Sequence, residues 1–283
     1  MSRVPDGVSD ENQLNVVARE VLLDALEALE SQASAVTVVG AQAIYLRSDE
    51  VRLTAASFTS DADLSLDPAL LADVPLIETV LTEAGFAREG QPGQWYTRRD
   101  VGGVDAPIAV DLLVPEAVAG RRGRSASIPP HAKHAARQVD GLEAALVDAD
   151  SMPVASLLPT GEAPRRVVSA RVAGPAALFV AKAFKINQRS SESGRSRLAN
   201  KDAGDVVRLM LATEPAEVAD RFEVLLTDER TAAITRQGLD YLHTLFAGAR
   251  TIGTTMALEA LATDPIEPEL LGIVRAYLET LPE

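Results

Sequence analysis

The spacing of apolar and polar positions divides the chain into a mixed front part and a helical rear part. Over 12–32, Leu14, Val17, Val21, Ala25 and Ala28 recur every three to four residues, with Glu20, Asp24, Glu27 and Glu30 largely off that stripe. This spacing predicts an amphipathic helix. Strand-like runs follow at 35–39, 61–66, 95–97 and 107–115, and again near 152–158 and 167–172. A helix is expected over 75–84, closed by Gly85, and a short one over 141–148. From Gly174-Pro175 the period is helical: GPAALFVAKAFKINQR, a second helix with Val206, Leu209 and Met210 inward, then 215–227, 230–247, 254–262 and 268–281. The expected fold class is α/β (α+β), a mixed β-sheet flanked by helices over 1–172 and a C-terminal helical bundle over 173–283.

The first strand runs into Gly40-Ala41, a small-residue turn that opens a helix-compatible run. The second strand-like run begins with Asp61 and Asp63, two apart, so a strand aims both carboxylates from one face. A helix N-terminus nearby favours an anion through its free backbone N–H groups. Paired carboxylates for a divalent cation beside a phosphate cradle suit metal-assisted phosphoryl or nucleotidyl transfer. An acidic pair on a strand is also, and more commonly, solvated surface or a cap. Thr59 and Ser60, just ahead of the pair, could hydrogen-bond phosphate, orient the carboxylates, or simply end an edge strand. In PIAVDLLVP (107–115) a single acid, Asp111, interrupts an apolar strand. Burying it calls for a compensating partner such as a metal ion, and the bland alternative has it face solvent. Asp105 is the fallback acid, and it reads better as a turn residue. Trp95 is either core or a stacking platform for a base.

Composition narrows the setting. Of 283 residues, 47% are hydrophobic and 24% charged, with no cysteine and three histidines. Disulfides, zinc-thiolate sites and thiol catalysis are excluded, and no run approaches a membrane span of roughly 18–20 residues. The first residues lack the apolar core of a signal peptide, so a cytoplasmic location is expected. Net charge is −14, but segment 121–208 holds 15 Lys and Arg against 8 Asp and Glu, while the rest holds 12 against 33. A basic middle between acidic flanks suits a cleft that receives a polyanion, and equally a set of helices with solvated basic faces. Arg121, Arg122, Arg124, Lys133, His134 and Arg137 are the candidate phosphate contacts of the Gly- and Pro-punctuated segment 117–137.

Gly40-Ala41, the D-x-D pair Asp61 and Asp63, and the later Asp111 together resemble the nucleotidyltransferase superfamily. Its mark is a Gly-rich strand-to-helix turn, a D-x-D and a third acid on a neighbouring strand. Ala41 keeps the turn's amide N–H and lacks the serine hydroxyl that the family often carries there. Lys182, Lys185 and Arg189 line one helix, and Lys201, Asp202 and Asp205 open the next. This K-x₆-R followed by K-D-x-x-D resembles the C-terminal signature of AbiEii/MenT-type toxins of bacterial toxin–antitoxin systems, with a longer insert at 190–197. The bland reading of that stripe is an exposed basic face bridged to acidic neighbours.

The resemblance implies a magnesium-dependent enzyme that moves NMP from an NTP to an acceptor hydroxyl. Asp61, Asp63 and Asp111 would hold two Mg²⁺ ions and carry catalysis with Lys182. Gly40, Ala41, Thr59, Ser60, Lys182, Lys185 and Asp202 would bind the nucleotide. The implied acceptor is RNA, a tRNA 3′ end, engaged through 121–208, with a cognate antitoxin as partner. Transfer to an aminoglycoside-like small molecule or a protein side chain, and a non-catalytic nucleotide- or partner-binding protein, are the alternatives.

Overall fold

A computed structural model describes residues 11–48, 51, 59–119, 123–159, 164–191, 197–262 and 267–282. The N-terminal segment through Asp10, Arg121 and Arg122, most of the connection ahead of Thr59, and the middle of the insert after Ser191 lie outside them. The described residues of Met1–Gln42, Ser57–Val139 and Ala149–Val172 form one compact unit. Those of Ala43–Ala56, Asp140–Asp148 and Ala173–Glu283 form a second.

The first unit is built on a mixed sheet of eight strands: β1 (Val36–Val39), β2 (Asp61–Leu66), β3 (Ala87–Arg88), β4 (Gln94–Val101), β5 (Val104–Pro115), β6 (Arg137–Val139), β7 (Ala149–Ala155) and β8 (Val167–Ala173). Their order is β3-β4-β5-β2-β1-β8-β7, with β6 added beside β5. β2 runs antiparallel to β1 and parallel to β5, while β4 and β5 form a hairpin turned by Gly102 and Gly103, both at positive φ. Two-residue hairpins need that backbone region, which glycine occupies without a Cβ penalty.

Strand alternation separates the two faces. Val38, Leu64, Leu66, Trp95, Ile108, Val110 and Leu112 are at most 2% exposed, and each contributes on the order of 1.5–3 kcal/mol by leaving water. Helix α1 (Glu11–Ala28) backs this face with Leu14, Ala18, Val21, Leu22 and Ala25, all buried. It ends four residues short of the expected limit, and a 3-10 turn over Glu30–Ala35 leads into β1. Arg99 on β4 donates to Asp24 of α1 at 2.7 Å, and Arg166 bridges Asp24 and Glu27. Trp95 is core, its Nε1 donating to Ala135 O at 3.0 Å, which decides against a base-stacking platform.

Helix α2 (Gly40–Arg47) follows β1 directly, and α3 (Ile77–Glu83) joins β2 to β3, ending in the Phe86 N–H to Leu81 O bond that a glycine at position 85 permits. The second unit is helical: α4 (Pro175–Ser191), α5 (Arg197–Ala212), α6 (Pro215–Thr227), α7 (Ala232–Phe246), α8 (Ile252–Ala260) and α9 (Glu267–Thr280). Asp148 accepts the Ala177 N–H at 2.9 Å and pairs with Arg221, capping the start of α4 with a buried carboxylate. Mixed sheet first and helices after is the fold class expected from the periodicity. No helix among the described residues is long and apolar enough to cross a membrane.

Candidate active site

The polar face of the sheet collects the acids in one row. Asp63 on β2 is the register partner of both Val39 on β1 and Asp111 on β5, and Asp111 is in turn opposite Gln94 on β4. The next row holds Asp61, Ala109 and Tyr96. Register partners project from the same face, with neighbouring strands about 4.8 Å apart, so the three carboxylates share one patch of the first unit.

Gly40 stands against this patch. Its φ is +69°, and a Cβ there would lie 2.1 Å from Asp63 Oδ2. The turn and the carboxylate are therefore in direct contact, and only a residue without a side chain fits. Ala41 follows in the first turn of α2 and is buried.

Thr59 and Ser60 are buried ahead of β2. The Thr59 hydroxyl donates to Asp61 Oδ1 at 2.7 Å. Of the roles open to it from sequence, orienting the carboxylate is the one this bond performs.

Asp111 is 1% exposed. Burial, then the Asp63 carboxylate, push its carboxyl up to about 6, with the Arg137 guanidinium pulling the other way. Arg137 Nη2 donates to Asp111 Oδ2 at 2.5 Å, while Oδ1 is buried without a hydrogen-bond partner. The solvent-facing alternative for Asp111 is thus excluded. Its neighbour across the sheet, Tyr96, has its phenol pushed up by burial and then by Asp111.

Two residues of this face escape sequence reasoning. Arg137, read there as a phosphate contact on a basic loop, lies on β6 and pairs with Asp111. No local signal marks that pairing, because it arises from a three-residue strand adding in parallel to β5. Tyr96 could have been found from alternation, since Trp95 and Thr97 face the core and their neighbours face the acids. Asp105, the fallback acid, is on the exposed hairpin and pairs with Arg98 at 2.6 Å. Arg124, Lys133 and His134 are exposed, and His134 Nδ1 meets the Ser125 hydroxyl at 2.9 Å.

The acids fit a hard divalent cation in donor chemistry, and Asp111 Oδ1 is a buried acceptor with no hydrogen-bond donor. Among the described residues no three His, Asp or Glu side chains are grouped so that together they could hold a metal ion. Mg²⁺ characteristically takes one or two carboxylates and completes its shell with water and substrate phosphate, so the residues present suit it.

The residues expected from the later motif lie together in the second unit. Lys182 is 4% exposed, and its Nζ donates to Asp202 Oδ1 and Asp205 Oδ2, both at 2.7 Å. Arg189 also pairs with Asp202, and Lys185, 40% exposed, stands 3.8 Å from it. Burial pushes the Lys182 ammonium down, but the two carboxylates more than reverse this and raise it. Burial likewise pushes Asp202 up, and Lys182, Lys185 and Arg189 hold it well below the usual carboxylate range. Lys182 is thus not on an exposed basic face: α4 is buried on nearly every side up to Ile186.

No protein-family profile and no curated protein sequence matches the chain. Among solved structures it is similar to an antigenic nucleotidyltransferase-like protein from Paracoccidioides brasiliensis, at 17% identity and a TM-score of 0.46, over 89% of this chain and 94% of that one. A likeness of that degree carries no weight for chemistry, which rests on the residues themselves.

Proposed function

We propose that the first unit is a metal-dependent nucleotidyltransferase centre, in which an acceptor hydroxyl attacks the α-phosphorus of an NTP, takes NMP and releases pyrophosphate. The observation that carries this reading is the row formed by Asp63 and Asp111, with Asp61 one pair further along and Gly40 against Asp63. Bound Mg²⁺, as one or two ions, would neutralise the triphosphate and lower the pKa of the attacking hydroxyl. Asp61 and Asp63 offer ligand oxygens from a single face, Asp61 being held in orientation by Thr59. Asp111, the register partner of Asp63, is the carboxylate we assign to accept the proton of a hydroxyl whose pKa the metal would lower. Gly40 and the Ala41 amide supply a turn without side-chain bulk, where phosphate can approach backbone N–H groups.

The acceptor we favour is RNA, a tRNA 3′ end. Arg124 and Lys133 are exposed in the segment that leads into β6, whose Arg137 pairs with Asp111, so basic residues and the acids belong to one unit. In the second unit, Asp202 and Asp205 accept from Lys182 Nζ, and a phosphate-binding role for that ammonium rests on the sequence resemblance alone. A toxin role held in check by an antitoxin rests on the sequence resemblance alone.

The test is a transfer assay with Mg²⁺, each α-labelled nucleoside triphosphate in turn, and total tRNA. Label in tRNA that disappears with Asp61→Ala is the expected result. Label on a small molecule or on protein keeps the chemistry and moves the acceptor. Absence of transfer to any acceptor, with nucleotide still bound, overturns the enzymatic reading.

A further inference from the structure

Arg137 and Asp111 are joined by one hydrogen bond where a guanidinium and a carboxylate can make two. The bond runs from Nη2 to Oδ2. The Arg137 Nε–H is buried with no acceptor, and Asp111 Oδ1 is buried with no donor. Each member of the pair therefore keeps one buried polar atom open, and the two openings have opposite polarity. Buried polar atoms are costly to leave without a partner, and each calls for an explanation. A cation satisfies Oδ1, and an anionic oxygen satisfies the Nε–H. A cation bound to a phosphate chain brings both at once.

Position supports the same pairing. Arg137 is on β6, the added strand beside β5, and its side chain is 27% exposed, whereas that of Asp111 is 2% exposed. The guanidinium is the more exposed member of the pair. A cation entering alone at the carboxylates meets the like charge of Arg137, which weakens its binding. A cation entering with a triphosphate brings negative charge that Arg137 can take, so the two ligands bind better together than apart.

We propose that Arg137 is the phosphate-positioning residue of the site: it neutralises Asp111 in the arrangement seen here and turns its Nε–H to a phosphoryl oxygen when a cation-bound triphosphate occupies the carboxylates. This deepens the nucleotidyl-transfer reading and rests on it.

The test compares Arg137→Gln with wild type in two titrations: Mn²⁺ alone, followed by the spectrum of free Mn²⁺, and the preformed complex of Mn²⁺ with inorganic triphosphate, followed by calorimetry. Glutamine removes the charge and keeps a polar side chain at the position. Mn²⁺ alone is expected to bind about tenfold tighter in the variant, and the triphosphate complex about tenfold weaker. Arg137→Lys, which keeps the charge and loses the fork, is expected to leave Mn²⁺ binding unchanged and still weaken the triphosphate complex. A purely structural arginine would shift both affinities the same way or neither, and either result overturns the proposal. Absence of Mn²⁺ binding in wild type itself overturns the site reading and the inference with it, and is recognisable because no variant is needed to see it.

Discussion

Asp63 and Asp111 are register partners on neighbouring parallel strands, so two carboxylates face each other across one strand spacing. Directly opposed like charges destabilise a sheet, and Asp63 is the largest charge, after burial, that raises the Asp111 carboxyl. The protein is built with a repulsion that a cation would relieve. Asp63→Asn is therefore expected to stabilise the metal-free protein by about 1 kcal/mol at pH 7.5, read as a higher urea midpoint. The same change should weaken Mn²⁺ binding by at least roughly tenfold. A variant that is less stable and binds Mn²⁺ as before would show that the pair is not a cation site.

The pH dependence follows from Asp111. Its folded value of about 6 lies above the ordinary 3.8. Folding thus takes up a proton between those values, so this group's contribution to metal-free stability is complete below the lower one and is lost as pH rises through the upper. Cation binding runs the opposite way, because a ligand carboxylate must be ionised. Mn²⁺ affinity should fall by about tenfold from pH 7.5 to pH 5 in wild type. In Asp111→Asn the residual affinity should be nearly flat over that range, and an equal slope in both proteins would remove Asp111 from the ligand set.

Much of this was legible in the chain because the relevant signals are local. The two-residue spacing of Asp61 and Asp63 fixes a shared strand face, and a lone Asp111 within PIAVDLLVP announces a buried charge before any partner is known. The helices of the second unit are equally legible from period and punctuation, α6 running over Pro215–Thr227 as spaced. What pairing brings together was not legible. Arg137 meets Asp111 through a short parallel strand 26 residues away in sequence. Lys182 carries the helical spacing of an exposed stripe, yet Asp202 and Asp205 let α4 bury it. Periodicity reports which face a residue occupies, and it is silent on whether a charged face has found a partner of opposite sign.

Gly40 tests the contact between turn and carboxylate. Alanine there adds a Cβ 2.1 Å from Asp63 Oδ2 at a φ of +69°. The left-handed backbone alone costs roughly 1–2 kcal/mol for a residue with a Cβ, and Asp63 must move as well. Gly40→Ala is expected to lose at least about 2 kcal/mol of stability and most of the transfer activity. Combining it with Asp63→Gly, which clears the space, should recover part of the stability and none of the activity. Full activity in the single variant would separate the turn from the site.

The buried cluster of the second unit gives a sharper contrast between neighbours on one helix. Lys182 is enclosed and bound to two carboxylates, whereas Lys185, one turn further along α4, is 40% exposed and 3.8 Å from Asp202. Removing the cation from a buried pair leaves uncompensated charge, which costs about 3–5 kcal/mol, while an exposed partner contributes about 1 kcal/mol or less. Lys182→Met should therefore lower stability by about 3–5 kcal/mol, and Lys185→Ala by under about 1 kcal/mol. Adding Asp205→Asn to Lys182→Met removes the carboxylate that Lys182 alone is seen to pair, Asp202 keeping Arg189 and Lys185, and should restore a large part of the loss. If nucleotide binding stays weak in that restored double variant, the Lys182 ammonium acts on the ligand as well as on the fold. If binding returns with stability, Lys182 acts on the fold alone.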